Sequence, residues 1–232
     1  MTKKVGILIS GRGSNMTALI EAAGERDFPA EVVLVISDKA DAQGLNIAKA
    51  RGIATQVIAR KDFASKDAHD AAIHKALTKA GVEIVALAGY MRLLSEPFVQ
   101  LWQGRMINIH PSLLPLFAGL DTHQRAIDSG MRVTGCTVHF VTAEMDQGPI
   151  IAQTAVPIRV GDDADALAAR VLKAEHKLYA MALRLLAEGK VEMRDAKTAF
   201  IGMEDGAGEG SVGGPEPLPD IANLAQLARM TP

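Results

Sequence analysis

An amide, an imidazole and a carboxylate stand out in this chain because together they are suited to moving an acyl carbon. Asn108 and His110 lie in the segment NIHPSLLP, residues 108–115, and Asp146 opens the segment DQGP, residues 146–149. An amide N–H stabilises a developing oxyanion, an imidazole handles a proton, and a nearby carboxylate sets the charge of that imidazole. The residue types therefore predict acyl transfer with acid–base catalysis.

The spacing of Asn108 and His110 predicts that their side chains point the same way. Residues 105–109 are typical of a short buried strand, and side chains two apart leave the same face of a strand. Pro111 lacks an N–H and restricts its predecessor to extended geometry, so the strand should end just after His110. We expect the pair at the carboxyl end of a strand, where open α/β sheets bind ligands.

Alternating strands and helices must position these groups. Apolar runs predict three N-terminal strands, at 5–9, 31–36 and 83–88. Apolar residues at helical spacing predict three helices, at 15–23, 43–50 and 67–80. After residue 110 the pattern predicts a helix over 123–129, strands over 132–142 and 149–158 joined at the Asp146 turn, and a long helix over 163–188. We expect an α/β fold: a doubly wound, mostly parallel sheet flanked by helices, with an antiparallel hairpin after the strand that carries Asn108.

Composition favours a small-molecule enzyme. The 232 residues carry 25 Lys and Arg against 27 Asp and Glu, with no basic run long enough to follow a nucleic-acid backbone. Cys136 is the only cysteine, which suits a reducing cytoplasm and a packing role. No apolar segment reaches the roughly 18 residues that a membrane-spanning helix needs. We expect a cytoplasmic protein with neither nucleic acid nor membrane as its partner.

The segment SGRGSN, residues 10–15, lies where the first strand turns into the first helix. Small residues there let backbone N–H groups approach an anion, and the helix N-terminus favours negative charge, so phosphate is one candidate ligand. A tight turn in which Ser14 or Asn15 only caps the helix is the alternative. Met16 replaces the third glycine of a G-x-G-x-x-G motif, and the lysine of a nucleoside-triphosphate loop is missing.

Four other polar residues have competing interpretations. Asp38 at the end of the second strand fits either the ribose-binding acid of an NAD site or a solvated turn. His69 and His74 are five apart on a predicted helix, which does not align metal ligands and indicates surface residues. His139 alternates with Thr137 on a strand and could border the site, although a structural role is favoured. We expect no metal site.

Taken together, these motifs resemble the phosphoribosylglycinamide formyltransferases, folate-dependent enzymes of purine synthesis. The resemblance runs from about Lys3 to about Arg194 and rests on four motifs: SGRGSN at 10–15, LAGYMRLL at 87–94, NIHPSLLP at 108–115, and GCTVHFV at 135–141 leading to DQGP. It implies transfer of the formyl group of 10-formyltetrahydrofolate, the co-substrate, to the amine of N1-(5-phospho-D-ribosyl)glycinamide, giving tetrahydrofolate and the N-formyl product in de novo purine (IMP) biosynthesis.

The resemblance also implies residue roles. Asn108, His110 and Asp146 match the catalytic residues, while Gly13, Ser14 and Asn15 match the phosphate loop and Glu175 an acid near the ribose. The expected folate contacts include Asn108 itself and Lys66, a basic residue near the glutamate tail. The wall of the pocket comprises Met91, Arg92, Leu93 and Leu94. The loop that faces it comprises Val141, Thr142, Ala143, Glu144, Met145 and Asp146.

The chain departs from the family pattern in one loop, and its tail falls outside the resemblance. Leu116 and Ala118 replace an expected Lys and Pro, and Asp121 stands where His is common. We expect a catalytic domain over residues 1–200, with a phosphate-binding half over about 1–100 and a folate and catalytic half over about 101–200. Residues 201–232 are rich in Gly and Pro and predict a flexible tail with a short helix over 221–229. A homodimer is one open assembly.

Three rival functions use parts of the same pattern. A 10-formyltetrahydrofolate deformylase would use the same three catalytic residues with water as acceptor, but usually carries a preceding regulatory domain, whereas the first strand here starts near residue 5. A methionyl-tRNA formyltransferase would add an RNA-binding domain. An NAD-dependent oxidoreductase would rest on residues 10–15 and Asp38 and would leave Asn108, His110 and Asp146 unexplained.

Overall fold

Seven strands form the central sheet in the computed structural model, which describes residues 2–202. The strands are β1 Lys3–Ile9, β2 Ala30–Ser37, β3 Ala54–Val57, β4 Ile84–Leu87, β5 Met106–His110, β6 Val133–Phe140 and β7 Ile150–Pro157. Their order in the sheet is β3-β2-β1-β4-β5-β6-β7. The strands from β1 to β5 pair in parallel, whereas β6 pairs antiparallel with both β5 and β7. The predicted fold class is confirmed, including the antiparallel hairpin.

Six α-helices flank the sheet within residues 2–202, and all but α4 lie where the spacing of apolar residues predicted. They are α1 Ser14–Ala23, α2 Gln43–Ala50, α3 Lys66–Lys79, α4 Glu96–Leu101, α5 Thr122–Asp128 and α6 Ala164–Ala187. Gly81 has a positive φ of 70° just after α3, and Asp163 accepts a hydrogen bond from the Ala166 N–H at the start of α6. Because such signals mark the helix ends in the sequence, the predicted helix bounds differ from the observed ones by only about one residue.

The sheet separates two apolar cores because alternate side chains of a strand leave opposite faces. Ile7 and Ile9 belong to the core that α1 and α6 cover, whereas Leu8 belongs to the core that contains Leu77 and Trp102. Both faces of β1 are therefore buried, as expected of a parallel strand between two helical layers.

A buried tyrosine fixes the long helix α6 on the sheet. The Tyr179 hydroxyl lies 2.9 Å from the carbonyl oxygen of Leu87 and 3.1 Å from that of Ile107, so its one hydrogen is shared between β4 and β5. Burial also raises the pKa of this phenol well above its ordinary value. This contact fixes the position of α6 along the strands, and with it the position of Glu175, which lies one turn earlier on the helix.

Several short elements lack a clear sequence signal and were not predicted. β3 is a half-polar strand at the sheet edge, and α4 is a six-residue helix that begins with a Glu-Pro pair. A separate antiparallel pair, β8 Val191–Arg194 and β9 Lys197–Phe200, turns through Asp195 and Ala196, both with positive φ. Positive φ at both central residues is the geometry of a type I′ hairpin turn, which Asp-Ala encodes less clearly than Asn-Gly.

Met1–Ile201 form one compact unit. The expected tail over 201–232 and its helix over 221–229 lie almost wholly outside the described residues, and the division into halves stays a prediction. Among residues 2–202, no helix combines the length and apolarity needed to cross a membrane.

Gly135 in β6 provides a test of this packing. A Cβ atom at this position would lie 1.9 Å from the Thr154 carbonyl oxygen of β7 and 2.8 Å from Leu113 Cδ2, so one strand would have to move. We expect Gly135→Ala to lower the free energy of unfolding in urea by about 1–3 kcal/mol or more. Gly11→Ala, where a Cβ would meet nothing within 4 Å, is the matched control and should stay near wild type. Equal midpoints for the two variants would contradict this packing.

Candidate active site

The end of β5 presents Asn108 and His110 to one region, as predicted. β5 ends at His110, directly before Pro111, and its antiparallel partner β6 places His139 opposite Asn108 and Thr137 opposite His110. Thr137 is itself fixed, because its hydroxyl donates to the Ser112 carbonyl and accepts from the Leu114 N–H. The segment after β5 is thus tied to the neighbouring strand.

Asp146 reaches the same region from the turn between β6 and β7. Its Oδ2 lies 3.4 Å from His110 Nδ1 and accepts a hydrogen bond of 2.9 Å from the Gly119 N–H. Asp146 has a φ of 56°, which aspartate tolerates better than most residues. A Cβ at Gly148 would lie 1.7 Å from the Phe140 carbonyl oxygen, so the turn requires glycine there. The DQGP segment thus brings the carboxylate to the imidazole.

His139 is buried next to these groups, as the favoured structural role predicts. Its Nδ1 lies 2.8 Å from the Phe140 carbonyl oxygen, which assigns the ring hydrogen to that nitrogen. Nε2 then accepts from the Asn108 amide nitrogen at 3.2 Å. Burial lowers the pKa of His139, an effect that the Phe140 carbonyl and the Asp146 charge partly oppose, so a neutral ring fits this pattern. His139 is both a satisfied buried histidine and an orienting contact of Asn108.

A loop covers the other side of His110. His110 Nε2 lies 3.0 Å from the Phe117 carbonyl oxygen, and Phe117 has a φ of 54°, which is unusual for an aromatic residue. Arg125 donates to the carbonyls of Ala118 and Leu120 at 2.7 and 3.1 Å. Backbone carbonyls make these contacts, so the departures Leu116 and Ala118 leave them available. His110 must exchange the Phe117 carbonyl for any other partner of Nε2.

The candidate phosphate loop begins α1 without a side-chain cap. Gly13 is the N-cap residue with a φ of 76°, and a Cβ there would lie 2.9 Å from the Gly44 Cα atom. The proposed capping by Ser14 or Asn15 is not observed. Instead, Asn15 Nδ2 donates to Glu175 Oε2 at 2.6 Å, joining the loop to α6. Gly13, Ser14, Asn15 and Glu175 therefore lie in one region, as expected for a shared ligand.

Part of the expected folate pocket is a single cavity. Lys66, Met91, Arg92 and Leu93 line a cavity of about 370 Å³, and Met91 and Leu93 expose large apolar side chains there. Leu94 and Val141 both pack against the core beneath it. The remaining residues of the expected facing loop do not line this cavity; they are Thr142, Ala143, Glu144 and Met145, and all but Thr142 are exposed.

Two interpretations of polar residues were wrong. The Asp38 side chain is 1% exposed and lies 2.6 Å from Arg92 Nε, so it is a buried ion-pair partner and not part of a solvated turn. His69 is not a surface residue: it is 1% exposed and lies between Asp70 and the Ile58 carbonyl. His74 is half-buried with its ring edge-on to Trp102. Short amphipathic helices leave the position of a histidine ambiguous, because its ring suits either side.

The remaining expectations concern the single thiol and metal-binding side chains. Cys136 is buried in β6, and burial together with the nearby Glu175 charge raises its thiol pKa to about 12, as expected of a packing residue. Within residues 2–202, no group of three or more His, Cys, Asp or Glu side chains is arranged to hold a metal ion.

The combination of a mostly parallel sheet with an amide, an imidazole and a carboxylate at its carboxyl edge agrees with the match to known proteins. Residues 3–183 match the model of the Formyl transferase family, and the chain belongs to that family. Phosphoribosylglycinamide formyltransferase of Haemophilus influenzae is 42% identical over 193 residues, covering 83% of this chain and 91% of that protein. The trifunctional purine biosynthetic protein adenosine-3 of Gallus gallus is 48% identical over 193 residues, and the chain spans only 19% of its length.

Solved structures agree with this membership. Phosphoribosylglycinamide formyltransferase from Brucella melitensis is 61% identical with a TM-score of 0.78, covering 81% of this chain and 96% of that one. Glycinamide ribonucleotide transformylase 1 from Symbiobacterium toebii is 43% identical with a TM-score of 0.84, covering 86% and 94%. The family and the fold are therefore established independently of any single motif.

Glu175 yields a test of site electrostatics. Burial raises its pKa, with the Asn15 hydrogen bond acting in the opposite direction. The pKa of Glu175 in the folded protein exceeds its value of about 4.3 in the unfolded chain. Its contribution to stability is therefore complete below the unfolded-state pKa and is lost as pH rises through the folded-state pKa. We expect Glu175→Gln to raise the free energy of unfolding at neutral pH and to give little gain at about pH 4, where the wild-type group is protonated in both states.

The control for this prediction is Glu31→Gln, which alters an exposed carboxylate at the start of β2. Urea unfolding at the two pH values measures the difference for each variant. A gain from Glu175→Gln that does not change with pH would argue against a buried charge as its cause.

Proposed function

We propose that this chain transfers the formyl group of 10-formyltetrahydrofolate to the amine of N1-(5-phospho-D-ribosyl)glycinamide. The single observation that carries the proposal is the convergence of Asn108, His110 and Asp146 at the carboxyl edge of the sheet. In the reaction the amine nitrogen forms a bond to the formyl carbon, the bond from that carbon to N10 breaks, the amine loses a proton and N10 gains one. No covalent enzyme species is needed.

Asn108 is the proposed oxyanion donor. His139 Nε2 accepts one of the two amide hydrogens, which orients the side chain and leaves the second hydrogen for a ligand. A donor held in place before reaction stabilises developing charge without reorganisation, and losing one typically raises the barrier by about 2.7–4 kcal/mol.

His110 and Asp146 are the proposed proton-handling pair. Asp146 Oδ2 faces His110 Nδ1, so the carboxylate favours an imidazolium whose Nε2 hydrogen can be given to the departing folate nitrogen. In the structure that hydrogen faces the Phe117 carbonyl, which substrate would displace. Asp146, through a water molecule, would help to take the proton of the amine.

The proposed ribonucleotide site comprises Gly13, Ser14, Asn15 and Glu175. The uncapped start of α1 supplies free backbone N–H groups for phosphate. The Asn15 amide oxygen is buried without a hydrogen-bond partner among the described residues, and an acceptor of this kind suits a ribose hydroxyl. The buried Glu175 carboxyl beside it offers further hydroxyl contacts.

The proposed folate site is the cavity lined by Lys66, Met91, Arg92 and Leu93, extended by Leu94 and by residues 141–146. Lys66 would approach the glutamate carboxylates, while Met91 and Leu93 supply apolar area for the ring system. Beyond the site, the buried single thiol of Cys136 fits a cytoplasmic setting, and a homodimer stays a prediction.

Removing either the donor or the charge partner should slow the chemistry more than binding. We expect Asn108→Ala and Asp146→Asn to lower kcat at least about a hundredfold while the ribonucleotide Kd stays near wild type. Asp128→Asn on α5 is the control, since Asp128 bonds only to Gln124 among the described side chains. Initial rates and calorimetric titration provide the two readouts. Turnover near wild type in either variant would reject the assignment.

Acceptor choice separates the proposed transferase from a hydrolase with the same three residues. We expect tetrahydrofolate release, followed by absorbance, to require glycinamide ribonucleotide and to yield its N-formyl derivative. Release at the same rate without the amine would identify a 10-formyltetrahydrofolate deformylase. The ordered Asn15–Glu175 contact next to the α1 N-terminus favours the transferase, because a hydrolase needs no ribonucleotide site.

A further inference from the structure

His69 on α3 lies between two hydrogen-bond acceptors. Its Nε2 is 2.8 Å from the Ile58 carbonyl oxygen, and its Nδ1 is 3.2 Å from Asp70 Oδ1. A neutral imidazole carries a hydrogen on only one nitrogen, so the other would direct its lone pair at an oxygen. With Asp70 ionised, both contacts are favourable only when the ring is an imidazolium. The His69 and Asp70 side chains are only 1% and 3% exposed.

Asp70 passes this contact on to the wall of the folate cavity. Its second oxygen, Oδ2, accepts a hydrogen bond of 2.6 Å from the Ser95 N–H, directly after the wall residues 91–94. The opposite end of the wall is held by the Ser10 hydroxyl, which accepts from the Met91 N–H at 2.9 Å. The folate wall is thus fixed at one end by the phosphate loop and at the other by the His69–Asp70 pair.

Among residues 2–202, Asp70 is the one anion that pairs with His69, and the other charged groups near the ring are cations or are paired elsewhere. Arg60 lies before the loop that leads into α3, and Lys66 is the first residue of that helix. Both line the cavity, and their positive charges disfavour a further positive charge on His69. Arg92 from the wall is paired with Asp38, and Phe63 presents its ring at 5.4 Å between centroids. Tyr90 has a phenol whose pKa is raised, first by burial and then by the Asp38 and Asp70 charges.

We propose that His69 is a positioning residue for the formyl-donor pocket: its imidazolium holds Asp70, Asp70 holds Ser95, and the wall 91–94 keeps the shape that binds folate. When the ring loses a proton, one nitrogen directs its lone pair at an oxygen and that contact becomes repulsive. Asp70 is then no longer held by His69, and residues 91–94 lose their fixed position. Folate binding then weakens while the ribonucleotide site on α1 and α6 is unaffected. This inference rests on the proposed function for its ligand, but the protonation state and the tether do not depend on it.

The kinetic test compares His69→Leu with His74→Asn in the full chain. His74 lies on the same helix with its ring edge-on to Trp102 and does not line the cavity, so its variant controls for damage to α3. We expect His69→Leu to raise the KM for 10-formyltetrahydrofolate at least about tenfold, the effect of losing one charge-assisted hydrogen bond, with the ribonucleotide KM unchanged. Equal rises in both KM values, or the same rise of the folate KM in His74→Asn, would overturn the proposal.

A spectroscopic test decides the charge state without any activity measurement. ¹⁵N NMR of the ligand-free protein, with His69→Gln as the assignment control, should show hydrogens on both ring nitrogens of His69 at neutral pH. One unprotonated nitrogen would overturn the proposal, even if a leucine variant does not fold. Calorimetric titration with tetrahydrofolate separates this proposal from the proposed function. If the protein lacks transferase activity but its affinity for tetrahydrofolate still falls in His69→Leu, the proposed function is refuted and the role of His69 is not.

Discussion

The antiparallel pairing of β6 with β5 is the constraint on which the rest of the site depends. It places His139 opposite Asn108 and Thr137 opposite His110, and it returns the chain so that Asp146 meets His110. The reversal of one strand in an otherwise parallel sheet is therefore what assembles an amide, an imidazole and a carboxylate from separate parts of the chain.

Carboxylates with defined partners organise the carboxyl edge of the sheet. Asp38 pairs with Arg92, Asp70 with His69, Asp146 with His110, and Glu175 accepts from Asn15. Charges removed from water are costly unless paired, and three of these four contacts join elements distant in sequence, the exception being the neighbours His69 and Asp70 on α3. Side chains already held in place need not be ordered when a ligand binds, which lowers the entropic cost of binding.

Much of the fold could be predicted because its signals are local. Alternating strands and helices, the stop imposed by Pro111 and the glycine after α3 each act within a few residues, so element bounds were close to those observed. The common orientation of Asn108 and His110 was predictable for the same reason, since the two residues share a strand.

The misses concern contacts made across the fold. Asp38 was interpreted from its neighbours in sequence, yet Arg92, 54 positions away, decides its environment. His69 is a histidine whose burial depends on packing by other elements, and no periodicity within its own segment reports that. The turn at Asp195 and Ala196 lacks the glycine that usually marks such geometry. Long-range partners of polar residues, rather than secondary structure, therefore limited the prediction.

The lone thiol has a practical consequence. Cys136 is the only cysteine in the chain and is enclosed within β6, with its pKa raised to about 12, so thiolate is scarce near neutrality and reagents have no path to it. A second cysteine placed at an exposed position such as Met145 would then be the sole site that a maleimide probe could label. Fluorophores or spin labels could report the movement of the turn around Asp146 without first replacing any native residue.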